Sequence, residues 1–315
     1  DRLNRAYCDL YGKQLLLSEG SLKVEDLWAP DVFNPEFYGL AEQTKPPLLM
    51  FRMDMIRRED GFYLTGIDAG SGALPARILE ARVTESTVFG QFLPRKNVKR
   101  IAPFFIAMKE MWKNCSPRKI EEPNIMLWSS GAATSEYKVH SFLARYLGLP
   151  LVESRDLTFR SGKIYLKLLE GLKPVDVLVR LVTDAQIDPL CRVSRDAMGV
   201  AGIVESLRLG QLAVCNLPGT DIFSYKPVTA ALGTNYSVIS SPVSEVPYSE
   251  DGTGSLATPF WTGRKWEARS VELSFYAQFV YREWKVMDGG IARETGSETN
   301  TAEKSFKDVW IVSPS

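Results

Sequence analysis

The hydrophobic and polar positions of this chain change period several times, and each change marks an element. Val175, Val177 and Val179 alternate with Asp176, Leu178 and Arg180, a strand pattern with aliphatic residues on both faces. Upstream, "NIMLWSSG" reads as strand then turn, Glu136 to Gly148 as an amphipathic helix stopped by Gly148 and Pro150, and "PLVES" as a strand, which together make a βαβ unit. "LTFRSGKIYLK" reads as a hairpin, "GVAGIVESLRLG" as a helix and "LAVCN" as a strand. Near the start, Arg2 to Glu19 has helical spacing. "PPLLMFRMDMIRREDGFYLTGID" reads as a hairpin, and Ile101 to Asn114 as a helix with Phe104, Phe105 and Trp112 in the core. After a stretch rich in Ser, Pro, Glu and Gly at Ser237 to Ser255, strand character resumes in "SVELSFYAQFV", "EWKVMDGG" and "KDVWIVS". The alternation predicts an α/β (α+β) fold, a largely parallel or mixed sheet flanked by helices.

Composition narrows the class. In 315 residues, 38 Lys+Arg balance 38 Asp+Glu, so neither nucleic acid nor a membrane surface is an expected partner. Apolar runs are far shorter than the ~18 residues that a membrane-spanning helix needs. Cys8, Cys115, Cys191 and Cys215 are scattered without a CxxC pair, which fits buried thiols in a reducing, cytoplasmic compartment. Without an initiator Met or a signal peptide, the text reads as a fragment.

Candidate chemistry gathers at strand ends. Arg180, Asp184 and Asp188 follow an apolar run where open α/β sheets present ligands, and the competing reading is a structural ion pair. Gly199 and Gly202 at a helix start could offer N–H groups to an anion or simply allow tight packing. Arg52 and Asp54 share a strand face and would meet either a substrate or each other. His140, mid-helix beside Phe142 and Leu143, reads as a half-buried histidine. One His and no Cys pair argue against zinc or a Ser-His-Asp triad, and GxxxxGK[ST] is absent.

The block "LGLPLVESRDLTFRSGKIYLKLLEGLKPVDVLVR", with "DPL", "GVAGIVESLRLGQLAVCNLPGT", "WKVMDGGIAR" and "KDVWIVS", resembles the circularly permuted ATP-grasp proteins, relatives of glutathionylspermidine synthase. The resemblance implies Mg-ATP, an acyl-phosphate intermediate and attack by an amine, in an EC 6.3-like carboxylate–amine ligase for a small-molecule or peptide substrate. It implies Arg180 and Asp184 as catalytic residues and Asp184, Asp188 and Asn216 as Mg²⁺ ligands. Arg293, Lys307, Asp308 and the two glycines would meet ATP, and Arg52 and Asp54 the substrate. It divides the chain into an N-terminal part of the ATP-grasp body (1–120), a central α/β unit (121–225), a linker or gap (226–255) and a returning β segment (256–315).

The chain also departs from that pattern. Two adjacent arginines and then two or three aspartates are usual where Arg180, Leu181, Val182, Thr183, Asp184 and Ala185 stand. A Glu is usual at Val139 and an Arg at Ser274, Asp288 replaces a Pro, and "GIDAGSGALPARILEAR" reads as an eroded loop. A lysine-bearing segment is missing, so a break or disordered stretch is expected between Lys226 and Gly254. Three functions remain open. One is the ligase, and another is a degenerate relative that binds a nucleotide or peptide or scaffolds an active homologue, with a homo-oligomer as a further candidate partner. The third is a structural module.

Overall fold

The structure, a computed structural model, describes residues 35–37, 40, 48–58, 61–71, 74–89, 98–191, 199–226, 257–261, 265–294 and 306–311. The helix expected at Arg2 to Glu19, the Ser/Pro-rich stretch and the break expected before Gly254 lie outside these residues.

In chain order, β1 (Met50–Arg58) and β2 (Gly61–Asp68) form the expected hairpin. α1 (Ala76–Phe89) and α2 (Ala102–Cys115) follow, then β3 (Ile125–Ser129), α3 (Tyr137–Leu147) and β4 (Leu151–Glu153). β5 (Leu157–Arg160), β6 (Lys163–Leu168), β7 (Gly171–Pro174) and β8 (Val177–Leu181) precede α4 (Ile203–Arg208) and β9 (Ala213–Cys215). The chain then runs through β10 (Ala257–Trp261), β11 (Trp266–Val280), β12 (Glu283–Glu294) and β13 (Phe306–Trp310). One expectation is corrected: "ARILEAR" opens a helix, α1, and is not part of a loop.

The α/β class holds, with parallel and antiparallel pairing kept in separate sheets. β4-β3-β8-β9 is parallel, β5-β6-β7 is antiparallel, and β13-β12-β11-β1-β2 is antiparallel with β10 on β11. Tight turns explain the split, because a two-residue link joins only antiparallel neighbours. Ser161 and Gly162 make one such link and Tyr281 and Arg282 another, all four at positive φ. β11 pairs with β1, Ser274 opposite Asp54, so the C-terminal segment completes the sheet that begins at Met50.

β8 is buried along its whole length, and its two faces enter different cores. Leu178 packs with Met126, Trp128 and Val214, whereas Val177, Val179 and Leu181 pack with Leu127, Trp112 and Leu143. α3 covers the second face with Val139, Leu143 and Leu147 and ends on Gly148, left-handed at φ 65. Cys115 and Cys215, far apart in sequence, both pack in this core, where the Cys115 thiol donates to the Met111 carbonyl at 3.2 Å. Among the described residues no helix is long and apolar enough to cross a membrane.

Candidate functional site

A cleft of about 360 Å³ opens beyond the carboxyl end of β8, walled by α1, α3 and the sheet containing β1, β11 and β12. Leu181, Thr183, Val139 and Ser274 all line it. These are four positions where the sequence departs from the pattern it resembles, and they reach the cleft from separate places. Leu181 ends β8 and Thr183 begins the turn after it, while Val139 lies on α3 and Ser274 on β11.

The cleft also holds charge. Arg52 Nε and Nη2 each donate to Asp54 at 2.9 Å, and Nη2 lies 3.6 Å from Asp68 Oδ2. Arg293 Nη2 is 3.6 Å from the same Asp54 and pairs with Glu272. Ser274 donates to Asp54 Oδ1 at 2.5 Å. Burial pushes the Asp68 carboxyl above its usual range and the Tyr276 phenol, buried beside them, up to about 12. At the opposite wall Arg77 of α1 pairs with Glu136 at the start of α3. His140 lines the cleft too. Its Nδ1 is 3.4 Å from Ser129 Oγ, and burial lowers its pKa. Sequence reasoning missed Arg77, Glu136 and Glu272. The helical spacing of "ARILEAR" would have pointed to the first.

Arg180 and Asp184 point elsewhere. Side chains alternate along a strand, so Arg180 projects from the face opposite Leu181. Its guanidinium is fully buried and donates to the carbonyls of Asn216 at 3.1 Å and Val182 at 3.2 Å. It also donates to Thr220 Oγ1 at 2.5 Å and pairs with Asp184 at 2.9 Å and Asp221 at 3.2 Å. Asp184 Oδ1 accepts from Gly219 N–H and Oδ2 from Asp221 N–H, while Asp184 N–H donates to Asp221 Oδ2. The two carboxylates share one guanidinium and brace the turn after β8 against the turn after β9. Burial pushes the Asp184 carboxyl up to about 7 despite Arg180, and Asp221 adds to the rise.

The other expected residues are likewise engaged. Asn216 Oδ1 accepts from Leu49 N–H at 2.7 Å and Met50 N–H at 2.9 Å, and its NH₂ donates to the carbonyls of Met50 and Ala69. Asp188 accepts from the N–H groups of Leu190, Gly202 and Val204, holding the start of α4. The Gly202 amide is therefore taken by Asp188. A Cβ at Gly199 would stand 2.7 Å from the Ile187 carbonyl oxygen, so tight packing explains that glycine. Asp308 pairs with Arg82 of α1, and Lys307 sits opposite Ala292 on β13; neither lines the cleft.

Mg²⁺ requires several oxygen ligands converging on one point. Asp184, Asp188 and Asn216 do not fit it, since their oxygens already accept N–H groups in three different places. Among the described residues no three His, Cys, Asp or Glu side chains are placed to hold a metal ion.

Comparison with known proteins places this geometry in a family. A profile described as circularly permuted ATP-grasp type 2 matches residues 1–234. An uncharacterised protein of Mycobacterium leprae is 27% identical over 215 residues, 68% of this chain and 38% of that protein. Two uncharacterised proteins of Mycobacterium tuberculosis are 28% and 31% identical, each over 226 residues and 70% of this chain, covering 41% and 25% of their own lengths. The chain thus spans less than half of these relatives. Among solved structures, a glutathione synthetase-like effector of Globodera pallida in its apo form is similar at a TM-score of 0.52 and 9% identity, over 98% of this chain and 84% of that one. That likeness concerns the fold alone. Family match and shared fold agree, and the chain belongs to the circularly permuted ATP-grasp type 2 family.

Proposed function

We propose that this chain is a binding member of its family, one that holds a small charged molecule in the cleft and does not join carboxylate to amine at the expense of ATP. One observation carries this reading: Arg180, Asp184 and Asn216 are turned into the protein, and beside Arg52 and Arg293 the cleft is faced by four altered positions, Val139, Leu181, Thr183 and Ser274. Arg180 and Asp184 belong to a buried brace, whereas Leu181, Thr183 and Val139 present methyl groups and one hydroxyl. Phosphoryl transfer needs donors and metal ligands aimed at the reacting group. Leucine and valine supply neither.

The family uses ATP and Mg²⁺, and the ligase remains the second reading. It is favoured by Arg52, Arg77 and Arg293, cations of the kind a phosphate would meet. ADP release by the purified chain, with ATP, Mg²⁺ and pooled amino acids and amines, separates the two. The binding reading expects no release above background, and it expects Arg180→Ala to lower the melting temperature. Mg²⁺-dependent ADP release that is lost on Arg293→Ala would establish the ligase instead.

A further inference from the structure

We infer that the altered end of the cleft has become an apolar subsite, and that the cleft takes a zwitterion with an aliphatic side chain, an amino acid or short peptide of that kind. The inference rests on the binding reading above and adds the chemistry of the ligand.

Two features of the cleft select it. The first is the wall built by Leu74, Val139, Leu181 and Ile291, contributed by the segment before α1, by α3, by β8 and by β12. These side chains offer a ligand no hydrogen bond, so a charged or polar group placed against them would lose its hydration without compensation. An aliphatic group placed there instead removes apolar surface from water. Leu181 and Val139 also belong to the core that α2 and α3 build on this side of β8, which holds the wall in place.

The second feature is charge balance. Arg52 and Arg293 meet Asp54, Asp68 and Glu272, and Arg77 meets Glu136, so the cleft's guanidiniums already have carboxylate partners. A bare anion would have to displace a carboxylate and leave it unpaired, and a bare cation would do the same to an arginine. A molecule carrying both charges exchanges partners in pairs. The pair best placed for exchange is Arg77–Glu136, whose carboxylate side chain is 45% exposed, against 7% for Asp54, 20% for Asp68 and 14% for Glu272. A ligand carboxylate then meets Arg77 and its ammonium meets Glu136, with no net charge left over. A volume of about 360 Å³ lies at the small end of the range for ligand pockets, suited to one or two residues and not to an extended chain.

Calorimetric titration of the purified chain provides the test. L-leucine and leucyl-leucine are compared with L-glutamate, with isovalerate, which lacks the ammonium group, and with isopentylamine, which lacks the carboxylate. Leucine or its dipeptide is expected to bind about tenfold or more tightly than each of the other three. Glu136→Gln, a change at an exposed side chain, is expected to weaken leucine binding by a similar factor with the circular dichroism unchanged. Leu181→Arg should weaken leucine and favour glutamate. Isovalerate or glutamate binding as tightly as leucine, or no binding of any probe at millimolar concentration, would overturn the ligand assignment and leave the loss of ligase chemistry standing. Mg²⁺-dependent ADP release in the same samples would overturn the binding reading itself.

Discussion

Asp184 shows how a motif residue can be built into a buried brace. Its carboxyl is held by two backbone N–H groups and Arg180, yet burial and Asp221 push it up to about 7. The folded pKa therefore lies above the unfolded value near 3.8. Its stabilising effect is complete below the unfolded value and is lost as pH rises through about 7, when the fold must hold two carboxylates on one guanidinium. The full span is on the order of 4 kcal/mol. Chemical denaturation between pH 5 and pH 8 is expected to show stability falling with pH, and Asp184→Asn to flatten that slope. A variant with the wild-type slope would assign the titration to another group. The sequence showed the carboxylate but not its partners, because Thr220 and Asp221 lie in a turn after β9 that carries no periodic signal.

At the scale of elements, alternation along β8 separates structure from site. A strand buried on both faces has no polar side to show which face a cleft adjoins. Arg180 and Leu181 thus look equivalent in sequence and face opposite ways in the fold. α4 carries a related lesson. Asp188 was expected to bind metal, but its carboxylate caps this short helix through Gly202 and Val204 N–H groups. Removing it leaves buried donors without an acceptor, so Asp188→Ala should cost about 2 kcal/mol in urea unfolding. Leucine affinity should be unaffected, since Asp188 does not line the cleft. A normal unfolding midpoint with altered binding would reverse that assignment. α1 escaped the sequence reading because "GIDAGSGALP" carries turn residues up to its first turn and Arg77, Glu80 and Arg82 interrupt its apolar face.

Across the whole molecule, Asn216 adds directed hydrogen bonds between the two main sheets, which also share hydrophobic cores. It follows β9 of the parallel sheet, and its amide makes four hydrogen bonds to the backbone of Leu49, Met50 and Ala69, next to β1 and β2. Asn216→Ala removes these four bonds and leaves the Leu49 and Met50 N–H groups without their side-chain acceptor, while the Ala69 carbonyl keeps the Thr220 hydroxyl, a loss of about 3 kcal/mol. Amide exchange should then quicken at Met50 and its neighbours in β1 before it does in β3 and β8. Uniform quickening in both sheets would mean that they open together without this bridge.

The sequence by itself determined most elements, because strand and helix periods are local and survive whatever they pack against. It determined the family through long motif blocks, and it marked Leu181, Thr183, Val139 and Ser274 as departures. Only the tertiary structure decided that these four face one cleft while Arg180, Asp184 and Asn216 do not. Which face of a doubly buried strand meets a cavity depends on the helices and sheet packed over it. Those neighbours come from α1, α3 and β11, far away in the chain, and no local pattern of residues encodes their arrival.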